Sequence, residues 1–397
     1  MNILILNTLY YPFKIGGAEN SVKLLAENLA KEHNVSIVSL TDLNHKCTDQ
    51  INGVMVHRLP IKNIYWPFDG QHRNTFERLR WHFYDDFNIN YYPELDEILD
   101  GFMPDVVHTN NLLGFSVSIW KYFNNKGIPI VHTARDYYLL HRNTTLYKNG
   151  GNLSGRELSC RLYGYTKRKH FDCINHFVGI SDFIKNIHES NITITIPTTT
   201  IYNAIDTSSE NKHRSPKSVG CKVSIGYLGR LAKEKGVDDF VDAARLFDFP
   251  NYEFVIAGEG DNIENLPENV RLIGKVEKDE LFSQIDLLVV PSRWNEPFGR
   301  VILEAAVEGI PVVASRTGGI AELFEKFHIV GSTFSTGDSR DLAKEIKNVI
   351  DWYVFTTSNN LESSHLELFD SDIITSQYIK IYQKLVLENH TKKGELN

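Results

Sequence analysis

Cysteine is scarce in this sequence. The 397 residues include four cysteines, which are widely and irregularly spaced and form no C-x-x-C pair. Small secreted domains that depend on disulfides need a dense set of cysteines, so that class of protein is excluded. The cysteines are predicted to be free thiols in a reducing compartment. They are Cys47, Cys160, Cys173 and Cys221.

Long apolar runs and an excess of basic residues are also missing. No stretch approaches the roughly 18 apolar residues of a membrane-spanning helix, and the N-terminus lacks the basic start and apolar core of a secretion signal. The net charge of −8, from 42 Lys and Arg against 50 Asp and Glu, argues against a protein that coats nucleic acid. We therefore expect a cytoplasmic protein that does not span a membrane and has no nucleic-acid partner.

The sequence instead alternates short apolar runs with helical or loop segments. Between the first two runs, Val22, Leu25 and Leu29 share one face of a predicted helix. Such alternation is typical of a parallel sheet covered by helices. The strands predicted in the first half are residues 3–7, 35–40, 106–108, 128–133 and 177–180.

A polar stretch rich in Asp, Ser, Asn and Lys separates this series from a second one. The predicted fold class is therefore α/β, with two Rossmann-like, doubly wound domains that face each other across a cleft. The second series of predicted strands is residues 223–228, 254–257, 270–273, 287–291 and 311–315. The predicted organisation is an N-terminal domain over 1–205, a linker over 206–222, a C-terminal domain over 223–371 and a final helix over 372–397.

Residues 285–315 form a complete βαβ pattern. A helix is predicted to begin near Phe298, after Pro297, and its free N–H groups would make the loop up to Arg300 a cradle for an anion. Glu296 precedes this helix and Glu304 lies within it. Sugar hydroxyls would suit these carboxylates, although either residue alone would be read as an ordinary solvated glutamate.

Two glycine-containing clusters follow other predicted strands. After residues 223–228, Arg230 and Lys235 lie where the ends of parallel strands form a ligand crevice, and two such cations suit a diphosphate. Read alone, the lysines of this loop are equally well explained as surface residues. After the first strand, Gly16 and Gly17 open a helix. Neither this pair nor residues 258–263 form the G-x-G-x-x-G fingerprint of a dinucleotide-binding dehydrogenase.

Together these clusters resemble the retaining, nucleotide-sugar-dependent glycosyltransferases of the GT-B fold, specifically family 4, also called glycosyl transferases group 1. The resemblance rests on Gly16-Gly17, on residues 201–206, on the G-R-L-x-x-x-K-G element of residues 229–236, and on Glu296 and Glu304 with seven residues between them. It covers nearly the whole chain. It implies a UDP-sugar or GDP-sugar substrate, no cofactor and no metal, and the sequence contains no credible D-x-D metal motif at a strand end.

The resemblance also implies roles for individual residues. Arg230 and Lys235 would hold the donor diphosphate, and Glu304 would take the ribose hydroxyls. Further donor contacts would come from the two N-terminal glycines, from backbone groups near the base, and from the loop and helix start around the first glutamate. These residues are Gly16, Gly17, Gly274, Val276, Glu296, Phe298, Gly299 and Arg300.

One segment departs from the family pattern. Family members often carry a histidine after a strand of the N-terminal domain, and here Arg135 stands at that place. We expect Arg135 and Asp136 to be cleft residues with a catalytic role. His132 is kept as a second candidate, although a histidine buried in the core is the more frequent explanation.

The acceptor side has a weaker signal. Residues 63–92 mix aromatic with basic side chains, and residues 161–170 contain a basic run. Such segments could stack on sugars or contact the cytoplasmic face of a membrane, and simple solvation explains the basic run equally well. We expect a retaining transferase that acts on a glycan or lipid-linked acceptor in cell-surface polysaccharide synthesis. The alternatives are a nucleotide-sugar-binding module with an inactive cleft and a GT-B epimerase or phosphorylase.

Overall fold

The computed structural model describes residues 1–13, 16–206, 217–354 and 365–394. The chain divides into two compact units. The first unit comprises Met1–Leu146, Ser154–Ala204 and Ser371–Asn397, and the second comprises Tyr147–Leu153 and Ile205–Asp370. Most of the predicted linker, residues 207–216, lies outside the described residues, as does Ile15 beside the first double glycine.

The first unit contains an eight-stranded sheet in the order β10-β9-β6-β5-β1-β2-β4-β3. Its pairs are parallel except β3 with β4. Because β1 pairs with both β2 and β5, the strand order reverses between β1 and β5, which is where doubly wound sheets open a crevice. The strands are β1 (Asn2–Leu6), β2 (Asn34–Thr41), β3 (Cys47–Ile51), β4 (Val54–Pro60), β5 (Val106–Thr109), β6 (Ile130–Ala134), β9 (His176–Gly179) and β10 (Thr198–Thr200).

The helices of the first unit include the last one of the chain. Apolar side chains of α1 and α13 pack with those of the sheet in one buried cluster, to which α13 contributes Ile374, Tyr378, Tyr382 and Leu385. The hydroxyl of Tyr382 lies 2.6 Å from His108 Nδ1 on β5. The helices are α1 (Gly17–Leu29), α2 (Thr75–Asp86), α3 (Tyr92–Gly101), α4 (Ser118–Asn125), α5 (Leu158–Tyr163), α6 (Tyr165–Lys169), α7 (Asp182–Asn191) and α13 (Ser371–Gly394).

The second unit contains a six-stranded parallel sheet in the order β13-β12-β11-β14-β15-β16. Its core joins the strands to α8 and α12. The strands are β11 (Val223–Leu228), β12 (Tyr252–Ala257), β13 (Val270–Gly274), β14 (Leu287–Val290), β15 (Val312–Ser315) and β16 (Gly331–Phe334). The helices are α8 (Val237–Ala244), α9 (Lys278–Phe282), α10 (Arg300–Val307), α11 (Gly318–Phe327) and α12 (Ser339–Val349).

The short antiparallel strands β7 (Tyr147–Lys148) and β8 (Gly151–Asn152) form a hairpin. The hairpin belongs to the second unit although the chain on both sides of it belongs to the first.

The two-domain, Rossmann-like α/β prediction is confirmed. The predicted strands lie within one or two residues of the observed ones, which is the usual spread for element boundaries. The prediction missed strands β3, β4, β10 and β16 and the hairpin. Among the described residues, no helix combines the length and apolar character that crossing a bilayer requires.

Candidate active site

Two loops meet at the carboxyl edge of the second sheet. Residues 229–236 follow β11 and residues 291–299 follow β14. These strands are neighbours although β12 and β13 lie between them in sequence, so this edge is a switch point, the usual ligand position in such sheets. A Cβ atom at Gly236, whose φ is +70°, would lie 1.9 Å from the carbonyl oxygen of Pro291. Only glycine therefore allows the two loops to approach this closely.

The Glu296 carboxylate is the most heavily hydrogen-bonded group of these loops. Lys235 Nζ lies 3.0 Å from its Oε1 and 2.9 Å from its Oε2. The hydroxyl of Ser292 and the indole N–H of Trp294 also donate to Oε2, at 3.1 and 2.6 Å. The Lys235 ammonium lies 5.0 Å from the centre of the Trp294 ring. The predicted pair of Lys235 and Glu296 is thus brought together, with its geometry fixed from three sides.

Arg230 lies on the same loop as Lys235 but is much more exposed. Its guanidinium pairs with Glu234, and 57% of its side chain is accessible. The hydroxyl of Tyr227 donates to the Arg230 carbonyl oxygen over 2.8 Å, and burial raises the pKa of that hydroxyl above its usual range. The backbone of Arg230 is therefore anchored, while its charged group faces solvent.

The helix after Glu296 begins two residues later than predicted. Gly299, with φ +89°, is the N-cap residue of α10, and Arg300 is its first residue. Arg300 Nε donates to Glu304 Oε1 over 2.7 Å, and both side chains are mostly buried. The ring of Phe298 is buried near Phe369, with centroids 6.0 Å apart. A contact from Phe298 to a donor would therefore use its backbone and not its ring.

Residues 317–319 support the glutamate loop and are not among the site residues predicted from sequence. The Gly319 N–H donates to the Glu296 carbonyl oxygen over 2.7 Å, and the Thr317 hydroxyl donates to Asn295 Oδ1 over 2.8 Å. A Cβ atom at Gly318 would lie 2.4 Å from the Glu296 carbonyl oxygen. The signal that could have revealed this support is a double glycine directly after a predicted strand at the same sheet edge.

An ion pair between half-buried Arg293 and buried Asp239 also anchors the loop. Arg293 Nε donates to Asp239 Oδ2 over 2.7 Å, and a second guanidinium N–H donates to Oδ1 over 2.5 Å. This pairing raises the pKa of Arg293. The N–H groups of Arg293 and Trp294 donate to the Glu234 carbonyl oxygen, over 2.9 and 3.2 Å. The loop that carries Glu296 is therefore tied to the loop that carries Lys235.

The residues predicted near the base lie at the same sheet edge. Gly274 ends β13 with φ +74°, and a Cβ atom there would meet nothing within 4 Å. Its carbonyl oxygen accepts from the Gly258 N–H over 2.8 Å. Val276 lies two residues further on and is half-buried. Among the described residues, no group of three or more His, Cys, Asp or Glu side chains is arranged to bind a metal ion.

In the first unit, the double glycine opens α1 at the switch between β1 and β5. Gly16 is the N-cap residue, and its N–H donates to Glu19 Oε2 over 3.0 Å. Its backbone is extended, a conformation that any residue adopts, and a Cβ atom there would meet only that carboxylate oxygen, at 4.0 Å. Gly17 is the first residue of the helix. The backbone conformation at Gly16 therefore does not itself require a glycine.

Arg135 is buried and is held by two amide side chains. Its Nε donates to Asn110 Oδ1 over 2.8 Å, and its guanidinium also donates to Asn203. Asn203 belongs to residues 201–206, one of the elements of the family resemblance, so this element has a physical function in holding Arg135. The neighbouring Asp136 accepts from the Tyr138 N–H over 2.8 Å, and burial raises its pKa to about 6.

His132 lies in the core of the first unit. Its Nδ1 is 2.9 Å from the Thr109 hydroxyl, and its ring contacts Trp120 and Phe177. Burial, together with the nearby His188 and Arg135, lowers its pKa to about 3. These contacts are those of a histidine buried in a core, which is the alternative explanation that the sequence offers, and the catalytic role of His132 stays a prediction.

The comparisons with known proteins agree with this geometry. Residues 15–209 match the family described as Glycosyltransferase Family 4, and residues 208–360 match Glycosyl transferases group 1. An uncharacterized 42.6 kDa protein in the cps region of Klebsiella pneumoniae is 36% identical, with 96% of this chain and 100% of that protein covered. The chain belongs to the group 1, family 4 glycosyltransferases.

Two further proteins are similar to this family 4 glycosyltransferase. The lipopolysaccharide core biosynthesis mannosyltransferase LpsB of Rhizobium meliloti is 31% identical over 166 residues, which cover 36% of this chain and 46% of that protein. The structure of Alr3699/HepE from Anabaena in complex with UDP has a TM-score of 0.69 at 19% identity, with 97% of this chain and 100% of that chain covered. The second likeness shows the GT-B fold.

Proposed function

We propose that this glycosyltransferase moves a sugar from a UDP-sugar or GDP-sugar to a glycan or lipid-linked acceptor, with retention of anomeric configuration, in cell-surface polysaccharide synthesis. The contact between Lys235 and Glu296, beside the N-terminus of α10, carries this proposal. The similarity to a mannosyltransferase of lipopolysaccharide synthesis and to a protein that binds UDP supports the choice of donor and product class.

The second unit supplies positive charge where a nucleoside diphosphate would depart. As the bond from the sugar to the diphosphate breaks, negative charge accumulates on the phosphate oxygens. Lys235, Arg230 and the backbone N–H groups at the start of α10 lie at the same sheet edge and would stabilise that charge. Lys235 is held in position by Glu296 before the reaction, so little reorganisation of its charge is needed.

The two glutamates would bind different parts of the donor. Glu296, fixed by Lys235 and Trp294, presents its carboxylate to the sugar hydroxyls. Glu304 would exchange its contact with Arg300 for the ribose hydroxyls. Both carboxylates then orient the donor, and neither is required to attack it.

Retention follows when the acceptor attacks from the face that the diphosphate leaves. The acceptor oxygen forms a bond with the anomeric carbon, the bond from that carbon to the phosphate oxygen breaks, and the departing phosphate takes the acceptor proton. No protein nucleophile is required. The positive charges of Lys235 and Arg230 favour this route because they stabilise the leaving group as it becomes the base.

A lipid-linked acceptor would bring the first unit to a membrane surface. Helices α2 and α5 touch through His82 and Tyr163, whose ring centroids are 5.7 Å apart. The exposed apolar side chains of these helices form what we call the apolar face, and Arg78, Arg80 and Arg161 lie on the same two helices. The apolar face comprises Phe76, Leu79, Phe83, Leu158 and Leu162. Apolar and basic groups together suit the interface of an anionic bilayer.

A thermal-shift screen with UDP-, GDP-, ADP- and dTDP-sugars, each with and without EDTA, tests the donor assignment. A sugar nucleotide at 100 times its dissociation constant stabilises the folded protein by about 2.7 kcal/mol, which raises the melting temperature by several degrees. We expect one nucleotide class to give this shift, unchanged by EDTA, and to support sugar transfer. A shift that EDTA removes would contradict the metal-independent site, and no shift with any donor would contradict the proposed donor class.

A further inference from the structure

The hairpin of β7 and β8 is a short segment of the second unit, inserted in sequence between two segments of the first unit. Its turn residues Asn149 and Gly150 both have positive φ, at 52° and 82°, and Tyr147 pairs with Asn152. An Asn-Gly pair in this conformation is the preferred two-residue connection of a twisted hairpin. The sequence therefore specifies a compact turn at this point, and the residue placed at its end is Asn152.

The side chain of Asn152 binds the backbone of the loop that carries Glu296. Its Nδ2 donates to the Arg293 carbonyl oxygen over 2.9 Å, and its Oδ1 accepts from the Asn295 N–H over 2.8 Å. The amide thus spans the peptide groups on both sides of Trp294, as a neighbouring β-strand would do. Both donor–acceptor distances lie in the usual range for an N–H···O hydrogen bond. Asn152 itself is exposed.

The residue between these two bonds, Trp294, is one of the three whose side chains contact the Glu296 carboxylate. The indole N–H of Trp294 donates to Glu296 Oε2 over 2.6 Å, and the Trp294 ring lies beneath the Lys235 ammonium. On its other side, the Trp294 N–H donates to the Glu234 carbonyl oxygen. The Trp294 peptide is therefore held by Glu234 from one side and by Asn152 from the other.

We propose that Asn152 is a positioning residue for sugar recognition, which acts on Glu296 through Trp294. This inference rests on the proposed function, because it assigns Glu296 to the donor sugar. The amide of Asn152 fixes the orientation of the Trp294 peptide, and the indole then fixes the carboxylate that meets the sugar hydroxyls. Asn152 itself does not touch the donor. It determines how well the site distinguishes a sugar nucleotide from the free nucleoside diphosphate.

The test compares Asn152→Ala with Lys148→Ala, an exposed residue of the same hairpin. Calorimetry measures the dissociation constants of UDP-glucose and UDP, or of the corresponding pair selected by the thermal-shift screen. Since a neutral hydrogen bond contributes about 0.5–1.5 kcal/mol, we expect Asn152→Ala to weaken sugar-nucleotide binding about two- to twelvefold. Binding of the nucleoside diphosphate should stay at its wild-type value, and Lys148→Ala should change neither dissociation constant.

A coupling measurement separates this role from a merely structural one. In a Glu296→Ala background, Asn152→Ala should weaken sugar-nucleotide binding no further, because the carboxylate that it positions is absent. Equal loss of UDP and UDP-glucose binding, or an unchanged ratio of the two, would overturn the assignment of Asn152 while leaving the proposed function in place. If the wild-type protein binds UDP but binds no sugar nucleotide more tightly than the matching nucleoside diphosphate, the donor-sugar role of Glu296 is overturned, and this inference with it.

Discussion

At the scale of single residues, Lys235 is the side chain on which the site depends most. It makes two contacts with Glu296 and lies over Trp294, so it both neutralises the carboxylate and presents a cation at the sheet edge. We expect Lys235→Ala to lower kcat about 10²- to 10³-fold, which is the usual cost of removing one preorganised group that stabilises developing charge. Steady-state transfer assays at saturating donor measure this loss.

Lys233 supplies the matched control for that variant. It is an exposed lysine two residues away on the same turn, where the sequence allowed either lysine to be a plain surface residue. Lys233→Ala should keep wild-type kcat. Equal activity of the two variants would show that the charge at position 235 has no part in transfer.

At the scale of helices, the apolar face of α2 and α5 carries the membrane proposal. Phe83 is 76% exposed and Leu162 69% exposed. Replacing both with serine should reduce binding to vesicles of phosphatidylglycerol and phosphatidylcholine at least about tenfold, since each buried side chain of this size contributes about 1.5–3 kcal/mol. Vesicle sedimentation measures the binding. Met103→Ser, at another exposed apolar site of the same unit, should bind as wild type does.

The strands and the donor loops could be predicted from sequence because their signals are local. Apolar runs of four to eight residues mark buried parallel strands, and glycines and charges after them mark the ligand edge. The partners of Arg135 and the docking of Asn152 could not be predicted, because Asn110, Asn203 and the loop at 293–295 are far away in sequence. The role of His132 could not be decided from sequence, because a histidine on a strand looks the same in sequence whether it is buried in a core or lies in a catalytic site.

At the scale of the whole molecule, the first unit buries several titratable side chains with opposite effects on acid stability. Burial lowers the pKa of His132 to about 3 and that of His188 to about 4. Below about pH 6.5, the pKa of a histidine in the unfolded chain, these two side chains bind protons when the chain is unfolded but not when it is folded. The free energy of unfolding therefore decreases as the pH falls. Burial raises the pKa of Asp85 and Asp136 to about 6, so these carboxyls restore stability as the pH falls through that value.

His132→Gln isolates one of these opposing contributions. Glutamine can still bond to the Thr109 hydroxyl, but it does not titrate. The variant therefore lacks the acid-dependent loss of stability that the wild-type histidine causes. Its penalty, the decrease in the free energy of unfolding relative to wild type, should shrink as the pH falls. Between about pH 7.5 and pH 5 the penalty should decrease by about 2 kcal/mol, because the wild-type unfolded chain gains a proton at this position and the variant does not. Urea unfolding followed by circular dichroism at about pH 7.5 and pH 5 measures the difference. A penalty for His132→Gln that stays constant with pH would contradict the neutral, buried state of His132.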